Sequence, residues 1–83
     1  MAKLVFLGRL REAAGAAERS ADFPQDVATA ADLVAWLCAD DPVLGEALAD
    51  PAVRVARNQD IIALGDPVAA NDEIAFLPPM SGG

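Results

Sequence analysis

The chain has 83 residues, of which 13 are acidic and 6 basic, so its net charge is −7, and it contains no histidine. A chain of this length forms one domain with a small core, which leaves little room for the ~300 Å³ pocket of an independent enzyme. The negative charge argues against a nucleic-acid partner, and the lack of histidine excludes imidazole-based triads and histidine-ligated metal sites.

The first third of the chain predicts two strands separated by a short helix. Residues 3–7 form an apolar run that ends at Gly8, and we expect a central strand buried on both faces. Residues 9–14 contain helix formers before Gly15, which predicts one or two helical turns with a glycine C-cap. Residues 17–23 alternate weakly between apolar and polar side chains, which favours a second strand at the edge of the sheet.

The clearest predicted helix begins at Thr29 and ends near Asp40. Thr29 is a favourable N-cap residue, and Asp32 three positions later completes a capping box in which Asp replaces Glu. An apolar stripe at helical spacing predicts that this helix lies across a sheet, and we assign its tryptophan to packing. The stripe consists of Leu33, Trp36 and Leu37, with Val34 and Cys38 beside it.

The next stretch predicts a shorter helix and two strands. Pro42 ends the long helix, and residues 43–49 form the shorter one. Residues 53–56 alternate as a strand, which turns at Asn58-Gln59 and resumes briefly at residues 61–62.

The last predicted strand covers residues 73–77 and follows two turn signals. The resulting order of elements predicts an α+β domain in which helices pack on one face of a mixed sheet. The first and last strands are the most apolar, so we expect them to be neighbours in the middle of that sheet.

Cys38 is the only cysteine, so an internal disulfide and a four-thiolate cluster are both excluded. We interpret Cys38 as a small core residue rather than as a site of sulfur transfer. The apolar run at residues 4–7 is too short for a signal peptide or a membrane span. We therefore expect a cytoplasmic protein that does not bind membranes.

The C-terminal segment differs in composition from the packed domain. Residues 78–79 are prolines, which cannot donate to a sheet, so we expect a domain over residues 1–77 and an extended, flexible tail over residues 78–83. Such a tail reaches roughly 20 Å, and Gly82 and Gly83 are narrow enough to pass a tight channel. A frayed terminus without function is the simpler explanation of a Gly-Gly ending taken alone.

The ending is the most specific motif of the chain. It reads Phe76-Leu77-Pro78-Pro79-Met80-Ser81-Gly82-Gly83 and is preceded by Asn71-Asp72-Glu73-Ile74-Ala75. With Leu10-Arg11-Glu12-Ala13-Ala14-Gly15 near the start, and Ala56, Asn58 and Gln59 after the third strand, it resembles the small-subunit family of molybdopterin synthase. Two positions depart from the family pattern, since Arg57 stands where an apolar residue is expected and Asn71 where glycine is usual.

This resemblance implies a β-grasp, ubiquitin-like fold and a defined chemistry at Gly83. An activating enzyme similar to ubiquitin-activating enzymes would adenylate the Gly83 carboxylate with ATP, and a sulfurtransferase would supply sulfur to form a thiocarboxylate. The thiocarboxylate would donate that sulfur to cyclic pyranopterin monophosphate in the large synthase subunit. The resemblance also implies a heterotetrameric synthase, a small subunit that is not catalytic alone, and no stably bound cofactor or metal.

The same resemblance predicts a set of residues that contact partner proteins. They are Gly82, Ser81, Met80, Pro79, Pro78, Phe76 and Arg11. A solvated helix face is the simpler interpretation of Arg11. The sequence leaves open whether Phe6, Leu64 and Phe76 belong to the core or to an exposed apolar patch.

Two other functions remain open at this point. A sulfur carrier of the thiamine pathway would share the Gly-Gly ending and the fold, but not the Pro-Pro-x-Ser approach to it. A ubiquitin-like protein modifier or interaction module would use Gly83 in an isopeptide bond to lysine, or would do no chemistry.

Overall fold

The computed structural model describes residues 1–79, and within that range it contains five strands and three helices. In chain order these are β1 (Ala2–Phe6), α1 (Leu10–Ala14), β2 (Glu18–Ala21), α2 (Ala30–Asp40), α3 (Pro42–Leu48), β3 (Arg54–Arg57), β4 (Asp60–Ile62) and β5 (Glu73–Leu77). Each predicted element is present, with small differences at the ends.

The strands form one mixed sheet in the order β2-β1-β5-β3-β4. β1 and β5 pair in parallel, whereas β1 with β2, β3 with β5 and β3 with β4 pair antiparallel. The first and last strands are therefore neighbours and β2 lies at an edge, as predicted. The strand that precedes the tail occupies the centre of the sheet and is hydrogen-bonded on both sides.

The prediction that β1 is buried on both faces is wrong. Ala2, Leu4 and Phe6 are buried, but Lys3 is exposed and Val5 is only half-buried. The helices cover one face of the sheet, since their buried leucines share a single core with the inward side chains of β1 and β5. A short apolar run looks the same in a strand covered on one face or on two, which is why the sequence misled here.

The start of α2 has the predicted capping box. Thr29 Oγ1 accepts a hydrogen bond from Asp32 N at 3.2 Å, and Asp32 Oδ2 accepts from Thr29 N at 3.1 Å. Hydrogen bonds from Ala28 N and then Thr29 N hold the pKa of Asp32 below its ordinary value. Further along the helix, Trp36 is half-buried and meets the ring of Phe23 edge-on at 6.3 Å, which confirms its role in packing.

The hairpin between β3 and β4 turns at Asn58 and Gln59, whose φ angles are +50° and +75°. Such a pair is typical of a tight two-residue turn. Asn58 also joins the hairpin to the start of β5, because its side-chain oxygen accepts from Glu73 N at 3.0 Å and its amide donates to Asp72 at 3.0 Å. Arg57 donates to the Pro67 carbonyl at 2.6 Å, so this polar side chain holds a loop at a position where the sequence pattern suggested an apolar one.

The contact between α2 and α3 depends on a glycine. A Cβ built on Gly45 would lie 2.8 Å from both Cβ and Sγ of Cys38 and 2.9 Å from its Cα. These distances are shorter than the 3.5–4.0 Å or so of favourable carbon contacts, so any side chain at this position would force the helices apart.

We expect Gly45→Ala to destabilise the fold, although alanine is the better helix former by about 1 kcal/mol. Overpacking should outweigh that gain and leave a net loss of about 1–3 kcal/mol in the free energy of unfolding, measured with urea. Glu46→Ala, at the exposed next position of the same helix, should change stability little. A Gly45→Ala variant as stable as the wild type would contradict the close packing of these helices.

Candidate functional site

The candidate site is the C-terminal tail together with the surface from which it leaves the domain. Met80, Ser81, Gly82 and Gly83, four of the predicted site residues, lie outside the residues that the structure describes. The described part is the root of the tail, which we define as residues 77–79. The division into a domain over residues 1–77 and a tail over residues 78–83 stays a prediction for this reason.

The root is anchored by the strand that precedes it. Phe76 is fully buried and stacks on Phe6, with the ring centroids 5.4 Å apart. One residue later, Leu77 still pairs with Arg54 of β3. Both phenylalanines therefore belong to the core, whereas Leu64 is 55% exposed. The partner contact predicted for Phe76 has no exposed side-chain surface to use.

The two prolines of the root are half-buried. A Cβ built on Gly8 would lie 2.9 Å from Cγ of Pro78, so the proline ring lies directly beside the turn between β1 and α1. Pro79 lines a cleft of about 490 Å³ between α1 and α3, together with Arg9 and Val43. The chain thus leaves the sheet after Leu77, as its prolines require, but stays beside the domain as far as Pro79.

The arginines near the root have different surroundings. Arg11, the predicted partner contact, is exposed on α1 and does not line the cleft that holds Pro79. Arg9 does line it, together with the carboxylate-bearing residues Glu12, Glu46 and Asp50. Sequence reasoning missed Arg9, since nothing in the sequence places the first turn of α1 beside the tail. The structure brings Arg9, rather than Arg11, to the root.

The face of the sheet opposite the helices forms the second part of the site. Strand register places Val5 opposite Ala75, Ala75 opposite Ala56, and Ala56 opposite Ile61. Directly opposed residues share a face, so these apolar side chains form a row across the sheet. Leu77 lies on the same face, two residues beyond Ala75. We call the surface made by Val5, Ala56, Ile61, Ala75 and Leu77 the outer face.

Charged residues lie at the end of the outer face where β5 begins. Lys3 Nζ is 3.3 Å from a carboxylate oxygen of Glu18 and 3.7 Å from one of Glu73. All of these side chains are exposed by more than a third, so the ion pairs contribute little to stability. At the other end of this face the exposed Arg54 pairs with Leu77, so the apolar row made by Val5, Ala75 and Ala56 lies between charged residues.

Arg19 connects the two helices that form the walls of the cleft. Its guanidinium donates to the Ala14 carbonyl at the end of α1 and to Asp41 Oδ2, at 3.2 Å, before α3. It also lies 5.7 Å from the centroid of the Phe6 ring, within range of a cation–π contact. A hydrogen bond from Leu44 N, and then the one from Arg19, hold the pKa of Asp41 below its ordinary value.

Cys38 belongs to the contact between α2 and α3, where it is half-buried against Gly45. Among residues 1–79, no group of three or more His, Cys, Asp or Glu residues is arranged to hold a metal ion. No helix in the described part of the chain has the length and apolar character needed to cross a membrane.

Known sulfur carriers and protein modifiers are similar to this chain over its whole length. The ThiS family model matches residues 4–83. The molybdopterin synthase sulfur carrier subunit of Escherichia coli is 35% identical over 85 residues, which span 100% of both chains. The crystal structure of SAMP1, small archaeal modifier protein 1 of Haloferax volcanii, has a TM-score of 0.80 at 33% identity and covers 99% of this chain and 98% of that one.

A more distant structure shares the fold alone. CysO of Mycobacterium tuberculosis has a TM-score of 0.74 at 20% identity, with 96% of this chain and 100% of that one covered. Together with SAMP1, it confirms the predicted ubiquitin-like β-grasp fold.

We expect Asp41→Asn to make the free energy of unfolding less dependent on pH in the acidic range. Because the pKa of Asp41 is lowered in the folded state, its charge stabilises the fold above the unfolded value of about 3.9, and this contribution disappears as the pH falls through the lower folded pKa. Asparagine keeps an N-cap oxygen but cannot titrate.

The measurement is the urea midpoint at pH 7 and at about pH 3, compared with the exposed-site control Asp40→Asn. The wild type and the control should lose more stability on acidification than Asp41→Asn does. Equal losses in all three proteins would show that Asp41 does not couple folding to pH.

Proposed function

Because the chain belongs to the ThiS family, we propose that it is a sulfur carrier of molybdopterin synthesis whose working group is the Gly83 carboxylate. The observation that supports this most is the full-length similarity to a molybdopterin synthase sulfur carrier subunit, at 35% identity. The fold adds support, because the central strand β5 leads directly into a tail that ends in Gly82 and Gly83.

The proposed chemistry begins with activation of Gly83. An ionised carboxylate is a poor electrophile, so one of its oxygens attacks the α-phosphate of ATP on an activating enzyme, and pyrophosphate leaves. Hydrosulfide supplied by a sulfurtransferase then attacks the carbonyl carbon, AMP leaves with one carboxylate oxygen, and the sulfur loses its proton. The product is a thiocarboxylate at Gly83.

The second half of the reaction takes place on the large synthase subunit. There the thiocarboxylate sulfur bonds to a carbon of cyclic pyranopterin monophosphate and displaces an oxygen substituent from it. Water then cleaves the bond between this sulfur and the Gly83 carbonyl, which leaves the sulfur on the pterin and restores the carboxylate. We propose that acid, base and electrophilic groups come from this partner in a heterotetrameric synthase in the cytoplasm. The small subunit itself then needs no bound cofactor, and ATP is consumed only by the activating enzyme.

We propose the outer face as the surface that docks on these partners. It is apolar at its centre, Ile61 is 56% exposed on it, and its last member, Leu77, is continuous with the root of the tail. A partner that covers this face therefore lies beside the segment that it must receive. Gly82, Ser81, Met80 and the exposed Arg11 remain proposed contacts of the same complexes.

A protein modifier is the second candidate, favoured by the similarity to small archaeal modifier protein 1 at 33% identity over 99% of this chain. In that function, Gly83 would form an isopeptide bond with a lysine of a target protein. Lysine-linked conjugates in cells would support the modifier. Rescue of a molybdopterin-deficient strain, but not of a thiamine-requiring one, would support the carrier of molybdopterin synthesis over its thiamine-pathway relative.

The first test is the intact mass of the chain after incubation with its activating enzyme, ATP and a sulfur source. We expect a mass increase equal to the exchange of one oxygen for sulfur, located at Gly83 by fragmentation. A chain without Gly82 and Gly83 should gain no sulfur, whereas Cys38→Ser should gain it as the wild type does. Failure of wild-type Gly83 to acquire sulfur would falsify the proposal, and sulfur bound to Cys38 would move the site there.

The second test concerns the outer face. A charge at its centre should oppose burial against a partner, so we expect Ala75→Arg to weaken binding to the large subunit about tenfold without unfolding the domain. Ala39→Arg, at an exposed position of α2, is the matched control and should bind normally. Binding can be followed by calorimetry, and equal affinities of the two variants would exclude the outer face from the interface.

A further inference from the structure

Gly8 lies in the turn between β1 and α1, in a backbone conformation that favours glycine. Its φ angle is +54°, in the left-handed region. A Cβ on Gly8 would lie 2.9 Å from Cγ of Pro78 and 3.7 Å from its Cδ. Because favourable carbon contacts are about 3.5–4.0 Å, a side chain at position 8 and the ring of Pro78 cannot both keep their places.

The turn that contains Gly8 is held on both sides by backbone hydrogen bonds. Leu7 N donates to the Phe76 carbonyl at 3.1 Å, which attaches the turn to β5 just before the root. On the other side, Arg11 N donates to the Gly8 carbonyl at 3.2 Å, which attaches it to α1. The turn is therefore fixed relative to the strand that leads into Pro78, and a clash at Gly8 acts on the proline ring.

The residue after Pro78 contacts a different part of the domain. Pro79 lines the cleft between α1 and α3, and Arg19 joins the ends of these helices through Ala14 and Asp41. Each proline ring restricts its own φ angle to about −65°. Pro78 and Pro79 are both conformationally restricted, and both lie against parts of the domain that are held in place by hydrogen bonds. The domain therefore sets the direction of the chain at Pro79.

We propose that Gly8 is a positioning residue for the tail: by leaving space for Pro78, it sets the direction of the chain through Pro78 and Pro79. This inference rests on the proposed function, since direction matters only if Gly83 must reach reagents held by another protein. If the root points in one fixed direction, fewer orientations of the tail have to be sampled before it enters a partner. A larger fraction of encounters with that partner is then productive.

Gly15 provides a matched control for the backbone effect. Its φ angle is +77°, also in the left-handed region, but a Cβ built on it would meet nothing within 4 Å. Alanine at either position introduces the same kind of backbone strain. Only at position 8 does it also meet the root of the tail.

The experiment measures initial rates of thiocarboxylate formation on the activating enzyme over a range of carrier concentrations. We expect Gly8→Ala to lower kcat/KM on the order of tenfold, mostly through a higher KM, because a misdirected root reduces productive docking but leaves the chemistry after docking unchanged. Gly15→Ala should lower kcat/KM less than about twofold, although its unfolding midpoint should fall by about as much as that of Gly8→Ala.

A double-mutant cycle then tests whether Gly8 acts through the proline ring. Pro78→Ala removes the Cγ and Cδ atoms that the new side chain would meet, so adding Gly8→Ala to Pro78→Ala should have little further effect on kcat/KM. If Gly8→Ala alone does not fold, the same reasoning requires Pro78→Ala to restore folding, and a double variant that stays unfolded overturns the proposal.

Equal kcat/KM values for Gly8→Ala and Gly15→Ala would also overturn it, as would an undiminished effect of Gly8→Ala when position 78 is alanine. Both results require a wild type that acquires sulfur. A wild type that acquires none would instead remove the proposed function, so the two failures are distinguishable.

Discussion

The pairing of β5 with β1 on one side and β3 on the other is the constraint on which the rest of the structure depends. It places the last strand of the chain at the centre of the sheet, where Phe76 is fully buried against Phe6. A strand held by two ladders and a buried ring can detach only if the domain unfolds. The tail therefore starts from a strand that is hydrogen-bonded on both sides, and in the proposed function a partner could bind the tail without disturbing the sheet.

The helices cover only one face of the sheet, and this determines which side of the central strand is accessible. A chain of 83 residues supplies helices for one face of the sheet, and the inward side chains of β1 and β5 complete a single core with them. The helices of the described residues do not cover the outer face, at whose centre Val5 and Ala75 are half-buried and the small side chain of Ala56 is buried between its neighbours. Leu77 belongs both to this face and to the root of the tail, so in the proposed function docking and sulfur delivery would use one continuous surface.

A second group of contacts controls the tail after it leaves the sheet. The turn at Gly8 accommodates the ring of Pro78, and the cleft between α1 and α3 accommodates Pro79. Arg19, from the edge strand β2, ties the two walls of that cleft together. In the proposed function, the domain thus acts on the chemistry only through geometry, because it holds the start of the tail while the reactive group belongs to the far end.

The sequence by itself determined the order of elements, the capping box at Thr29, the turn at Asn58 and the family, because these depend on local spacing and on a specific ending. Only the tertiary structure decided which faces of the sheet are covered, since a short apolar run has the same sequence pattern whether one face of its strand is covered or both. It also brought Gly8 beside Pro78, residues far apart in the chain whose relation follows from parallel pairing of the first and last strands. Long-range contacts of this kind leave no local periodicity, so no pattern within either segment could reveal them.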